Sequence, residues 1–239
     1  MSKIICLCIF LLSNFVEAIE YADLDDSIQS YALPVEHFLR PTLDRLFRDP
    51  KTLQNQKNLE KAGFVVLHSR PSTLIIAKHS ALAGYLIKVY LRSSIRPQEE
   101  NWENLVNRCR GAENIRNLIK QEGLKYFTVP DKWLYVSCSG GPVLVLIATY
   151  VDTVSKEDSK YAWKHSISHK HLEELYCIIS HGYASTLLPA NIPYTKKGIF
   201  ACVDTEQPQR EPRYENVKAH ISKKMKLCWE ELVRTRKSQ

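Results

Sequence analysis

Residues 187–206 read L-L-P-A-N-I-P-Y-T-K-K-G-I-F-A-C-V-D-T-E. Two short strand-forming runs, 192–195 and 199–203, flank Lys196-Lys197-Gly198. A glycine after two lysines supplies the positive φ that a tight hairpin turn needs. Pro193 has no N–H to give to a ladder, which places the first run at an edge. Asn191 stands just before the first run, and Asp204 just after the second, followed by Thr205 and Glu206. A hairpin in this register carries an amide and a carboxylate to the same end of the ribbon. A divalent metal on a nucleoside triphosphate needs such groups: a few hard oxygen ligands, with phosphate oxygens completing the shell. The same pattern also suits a surface hairpin with a polar residue at each end.

Upstream, the runs 63–68, 74–78 and 85–91 read as three strands, with turn chemistry at Ser69-Arg70-Pro71-Ser72. The third strand carries Lys88 in an otherwise apolar run. Such a lysine either snorkels from a strand edge or is aimed into a cleft at an anion. Trp102, Leu105, Val106, Cys109, Ala112, Ile115 and Ile119 follow helical spacing over 101–122, and Gly123 is a natural stop. Residues 126–129, a Pro130-Asp131 turn and a strand at 133–136 follow, then a Ser139-Gly140-Gly141 turn and a continuous apolar strand over 142–151. Residues 152–160 read as a polar linker, 168–183 as an amphipathic helix, and 214–234 as a basic C-terminal helix.

The chain has 239 residues, 44% hydrophobic and 25% charged, which suits one or two globular domains. Its net charge of +7 is spread out and favours acidic partners. No basic run is interleaved with aromatics, so a nucleic-acid partner is not expected. Lys3, the apolar residues 4–12 and Val16-Glu17-Ala18 resemble a secretory signal over 1–18, which predicts a secreted or periplasmic protein with no stable membrane span after cleavage. An uncleaved anchor is the alternative. Of the seven cysteines, Cys109, Cys138, Cys177, Cys202 and Cys228 lie beyond the leader. Their odd number and wide spacing make buried free thiols the expectation for several of them. His165, His169, His171 and His181 have no acid or cysteine at a fixed spacing to complete a zinc set. Residues 19–60 form a polar, then helical leader, with Pro41 in the first turn of a short helix closed by Asp49-Pro50.

The order of elements is therefore three strands, a helix, two strands, a linker, a helix, a hairpin and a helix. This order resembles the protein-kinase-like fold: an α+β protein with a five-stranded small-lobe sheet and one helix (61–151), then a helical lobe, here reduced (152–239). Lys88 in Y-L-I-K-V-Y is similar to the lysine that pairs with nucleotide phosphates. Asn191 in L-L-P-A-N-I is similar to the catalytic-loop asparagine, and Asp204 to the metal-binding aspartate. The resemblance covers about residues 60–206. It implies ATP and Mg²⁺ as cofactors, with Lys88, Asn191 and Asp204 at the nucleotide and Asn191 and Asp204 on the metal. It also implies a glutamate partner for Lys88, for which the helix offers Glu103 or Glu113.

The departures imply a degenerate, pseudokinase-like protein that acts by binding an unidentified protein partner. Thr186 stands where the family has its catalytic base, and a threonine takes no proton as a carboxylate does. No glycine follows Asp204-Thr205, and no glycine-rich loop lies between Phe64 and Gly84. Glu206 could stand in for the base or act as a second metal ligand, although an acid at such a position is more often simply solvated. The alternatives are an active ATP- and Mg²⁺-dependent phosphotransferase, or a secreted α+β binding protein with no nucleotide site. The latter would use Lys218, Lys223, Lys224 and Lys226 of the C-terminal helix against an acidic partner.

Overall fold

A computed structural model describes residues 26–69, 74–94, 97–137, 142–183, 188–206 and 211–237. The expected signal over 1–18, most of the Ser69–Ser72 turn, the turn at 139–141, Cys138 and Thr186 lie outside the described residues.

The chain is an α+β protein built on one five-stranded antiparallel sheet. Strands β1 (Val65–His68), β2 (Ile75–Lys78) and β3 (Tyr85–Val89) form a meander. The long helix Gln98–Glu122 follows, and then β5 (Lys132–Ser137) and β6 (Val143–Thr149) complete the order β1-β2-β3-β6-β5. These are the expected three strands, helix and two strands; β1, β2, β3 and β6 are shorter than expected by one to three residues, while the helix starts three residues earlier and β5 gains one residue at each end. Between that helix and β5 lies β4 (Phe127–Thr128), which pairs in parallel with β7 (Phe200–Ala201) as a separate ribbon.

Alternation along β3 sorts its side chains between two layers. Ile87 and Val89 join Tyr135, Val145 and Ile147 on the face covered by the N-terminal helices α2 (Arg40–Leu46) and α3 (Gln56–Lys61), while Ile28 of α1 (Asp26–Gln29) packs in the core on the other face. Leu43, Phe47, Leu53 and Leu59 from this segment are buried in that core, so the leader is part of the sheet's hydrophobic layer. Pro41 lies in the first turn of α2, as expected. The other face holds Lys88 opposite Leu146, beside Leu134, Val136 and Ala148, and is covered by the long helix, α4.

Helix α4 bridges two cores. Leu105, Val106 and Cys109 pack on the sheet, while Ile115 and Leu118 join the helical half of the molecule. Gly123 ends α4 in the left-handed conformation (φ +62°), its N–H donating to Ile119 O. The helical half centres on Trp163, Leu172, Leu175, Phe200 and Trp229. The Trp163 indole N–H donates to Ile192 O at 2.9 Å, tying a helix to the start of the hairpin.

Three expectations are corrected. Residues 152–160 are no linker: helix α5 runs over Lys156–His165, capped by Ser155, whose hydroxyl accepts from Asp158 N at 3.0 Å. Only Ser159, Ala162 and Trp163 of α5 are buried, so its polar composition reflects a surface helix rather than loop. The C-terminal helix is broken into α8 (Glu215–Lys218) and α9 (Lys223–Lys237); α6 (His169–Ser180) precedes them as read, trimmed at both ends. The hairpin is irregular. Residues Leu188–Asn191 form a helical turn, α7, and the ribbon's only bridge is Tyr194 with Phe200. Pro193 keeps the first arm out of a continuous ladder.

Candidate functional site

Hydrogen bonds at alternate positions still hold the two arms of 191–204 together. Gly198 adopts φ +82° at the turn, Thr195 N donates to Ile199 O at 2.9 Å, and Ala201 N donates to Pro193 O at 3.0 Å. At the open end Val203 N donates to Asn191 O at 2.9 Å. Asn191 and Asp204 are thus neighbours, as the register of the sequence requires. Lys88 reaches the same point from β3, its ammonium donating to Val203 O at 3.2 Å. The structure brings Lys88, Asn191 and Asp204 into one cluster where the sheet meets the helical half.

Three further side chains complete it. Lys132, from β5, donates to Val203 O at 3.3 Å and to the Thr205 hydroxyl at 2.6 Å. Arg108, from α4, pairs one amino group with Asp204 and the other with Glu206 at 2.8 Å. The Thr205 hydroxyl donates to Arg108 O at 2.5 Å. Gly111, one turn further along α4, leaves room for the loop: a methyl group there would stand 2.3 Å from Thr205 O. Residues 203–206 are clamped between two strands and a helix.

The charges are three cations against two carboxylates. Lys88 is only 6% exposed, and burial, reinforced by the Arg108 charge, pushes its ammonium down to about 8. Burial also depresses Lys132 well below the ordinary lysine range, with Lys88 and Arg108 adding repulsion. For Asp204, burial works to raise the carboxyl, but Arg108, Lys88 and Lys132 outweigh it and hold the carboxyl below its usual value. Cys109 and Cys202, beside the cluster, are buried free thiols pushed up to about 12.

This donor set does not fit a divalent metal. Arg108 engages both carboxylates, and the other charged neighbours, Lys88 and Lys132, are cations that would repel a metal ion. Among the described residues no group of three histidine, cysteine, aspartate or glutamate side chains is placed to hold a metal ion. Neither candidate glutamate meets Lys88. Glu103 is exposed, and Glu113 accepts from the Tyr31 hydroxyl at 3.0 Å. The helix face that meets the cluster carries Arg108 instead, so the charge order at this contact is reversed from the expected one. Glu206 is no free acid, because Arg108 holds it.

Arg108, Gly111, Lys132 and Thr205 were not singled out by the sequence reading. Arg108 had a visible signal: it sits one turn after Leu105 and beside Cys109, on the apolar stripe of its helix. Gly111 had another, since a glycine inside a long helix is unfavourable unless something must come close. Lys218, one of the four lysines offered to an acidic partner, is committed internally to Glu215 at 2.5 Å and Glu230 at 3.2 Å. His171 works as a cap: its ring nitrogen lies 2.7 Å from the Ser168 hydroxyl, and it packs on Tyr126.

No protein-family model and no curated protein matches the chain in sequence. No helix of the described residues is long and apolar enough to cross a membrane.

Proposed function

We propose that the chain is an exported, kinase-like protein that is degenerate in phosphoryl transfer and acts by binding a protein partner. Three features support the kinase-like part: the element order, the five-stranded sheet with the long helix α4 on one face, and the convergence of Lys88, Asn191 and Asp204. The export part rests on the sequence of residues 1–18. The observation that carries the degenerate part is the Arg108 guanidinium bridging Asp204 and Glu206. It takes the carboxylates that a phosphate-bound Mg²⁺ would need, and phosphoryl transfer depends on that metal to neutralise developing charge.

One observation favours retained nucleotide binding without transfer. Val65 lies opposite Lys78, on the same face of the sheet as Lys88, and is 63% exposed. It leaves apolar surface on that face of the sheet that a planar aromatic ligand would cover.

Thermal unfolding with and without ATP and Mg²⁺, alongside a phosphate-transfer assay, separates the possibilities. A ligand that binds only the folded chain raises the midpoint. The expected result is no Mg²⁺-dependent rise and no transfer. An ATP-dependent rise without Mg²⁺, lost in Lys88→Ala, would establish a nucleotide-binding pseudokinase. A rise that needs Mg²⁺, is lost in Asp204→Ala and comes with transfer would overturn the proposal.

A further inference from the structure

A second concave site lies against the short helix that carries Asn191. It encloses about 340 Å³. Its floor is the fully buried Trp163 ring, and its sides are Pro189 and Ala190 of α7 and Ala219 just after α8. His220 closes one end, its ring edge-on to Trp163 at 6.4 Å between centroids. Along the remaining side stand Lys156, Lys160 and Lys164, successive turns of one face of α5. No acid lines the pocket, and none of the three lysines forms an ion pair among the described residues.

We propose that this pocket docks an acidic peptide segment, with one apolar side chain in the pocket and carboxylates along the lysine row. The apolar lining selects against a bare inorganic anion, which would leave Pro189, Ala190 and Ala219 wet. The lysine row selects for negative charge, and the lysine stems extend the apolar wall towards it. Spacing selects for an extended chain. Lysines four apart on a helix are about 6 Å apart. Alternate residues of an extended strand, which point the same way, are about 6.6 Å apart. A segment with acids at alternate positions therefore meets all three lysines in register. A membrane surface meets flat or convex protein, and the apolar part here is recessed. The site is distinct from the cluster around Asp204, so its test needs neither ATP nor Mg²⁺ and is unaffected by whether nucleotide binds.

The test is fluorescence anisotropy on the full chain. The probe is a labelled peptide of about nine residues, alternating aspartate and serine around one central phenylalanine. Controls are the same peptide with asparagine for aspartate, the same peptide with serine for phenylalanine, and vesicles of phosphatidylserine and phosphatidylcholine. The acidic phenylalanine peptide should bind best, and its binding should weaken with added salt. Lys156→Glu, Lys160→Glu and Lys164→Glu together, all at exposed positions, should weaken it by about tenfold or more. Ala219→Phe, which fills the pocket from an exposed position, should erase the advantage of the phenylalanine peptide over the serine one. Equal binding by wild type and the triple variant, equal binding of the aspartate and asparagine peptides, or capture of vesicles without capture of the peptide would each overturn the proposal.

Discussion

Gly111→Ala is the sharpest probe of how the loop is held. In an exposed helix this change stabilises by about 1 kcal/mol, because alanine loses less backbone entropy than glycine. Here the added methyl would sit 2.3 Å from Thr205 O and 3.0 Å from Thr205 Cβ. The first atom is backbone, so no rotamer change at Thr205 relieves the clash. Either α4 moves off the sheet or residues 203–206 move out. Overpacking of this kind costs about 1–3 kcal/mol. Displacing Thr205 also strains its bonds to Arg108 O and Lys132, each worth about 1 kcal/mol. Set against the propensity gain, the net is a loss of about 2 kcal/mol, or a fall in Tm of about 4–8 °C for a chain this size. Calorimetric or circular-dichroism melts read it directly. A variant as stable as wild type, or more so, would refute the close approach of α4 to the loop and with it the clamp.

Other substitutions test the charges. Arg108→Ala leaves two carboxylates facing each other without their shared cation, and should destabilise by about 3–5 kcal/mol in urea titrations at neutral pH. Lys132→Met should change stability by less than about 1 kcal/mol, because losing two hydrogen bonds is offset by no longer burying an amine. The pH dependence has a definite sign. Lys88 is depressed to about 8 in the folded chain from 10.5, so above pH 8 the unfolded chain holds more protons and stability rises with pH. Lys88 alone should add about 1 kcal/mol between pH 8 and 9, with Lys132 acting in the same direction. Cys109 and Cys202 oppose this above about 9, since they keep their protons to about 12 when folded. Melts in reductant should therefore show a maximum near pH 9, and Lys88→Met should flatten the rising limb.

The sheet was legible because its strands are short apolar runs between turn residues, and because Gly123 and Gly198 punctuate where the backbone needs positive φ. Lys88 was legible for a related reason: a lysine inside an apolar strand has few explanations. Helix α5 was missed because its surface residues outnumber its buried ones, and the Ser155 cap was the cue that went unread. The clamp was missed for a different reason. Arg108 and Lys132 gain their roles from where 203–206 lands, and no local pattern encodes that contact. The metal expectation for Asn191 and Asp204 meets the same contact, since Arg108 already pairs with Asp204. Their spacing does bring them together, but the cation that takes up the Asp204 carboxylate comes from a helix far away in the chain.

The clamp has a further consequence for how the molecule comes into being. The partners of residues 203–206 lie 71 to 115 positions earlier. During synthesis Lys88, Arg108 and Lys132 emerge first and must stay hydrated until Glu206 leaves the ribosome. Closure over these charges is therefore a late event, and contacts of such long sequence separation form slowly. A nascent chain cut short before Val203 would present three bare cations, a distinctive surface for any acidic chaperone that waits for the finished protein.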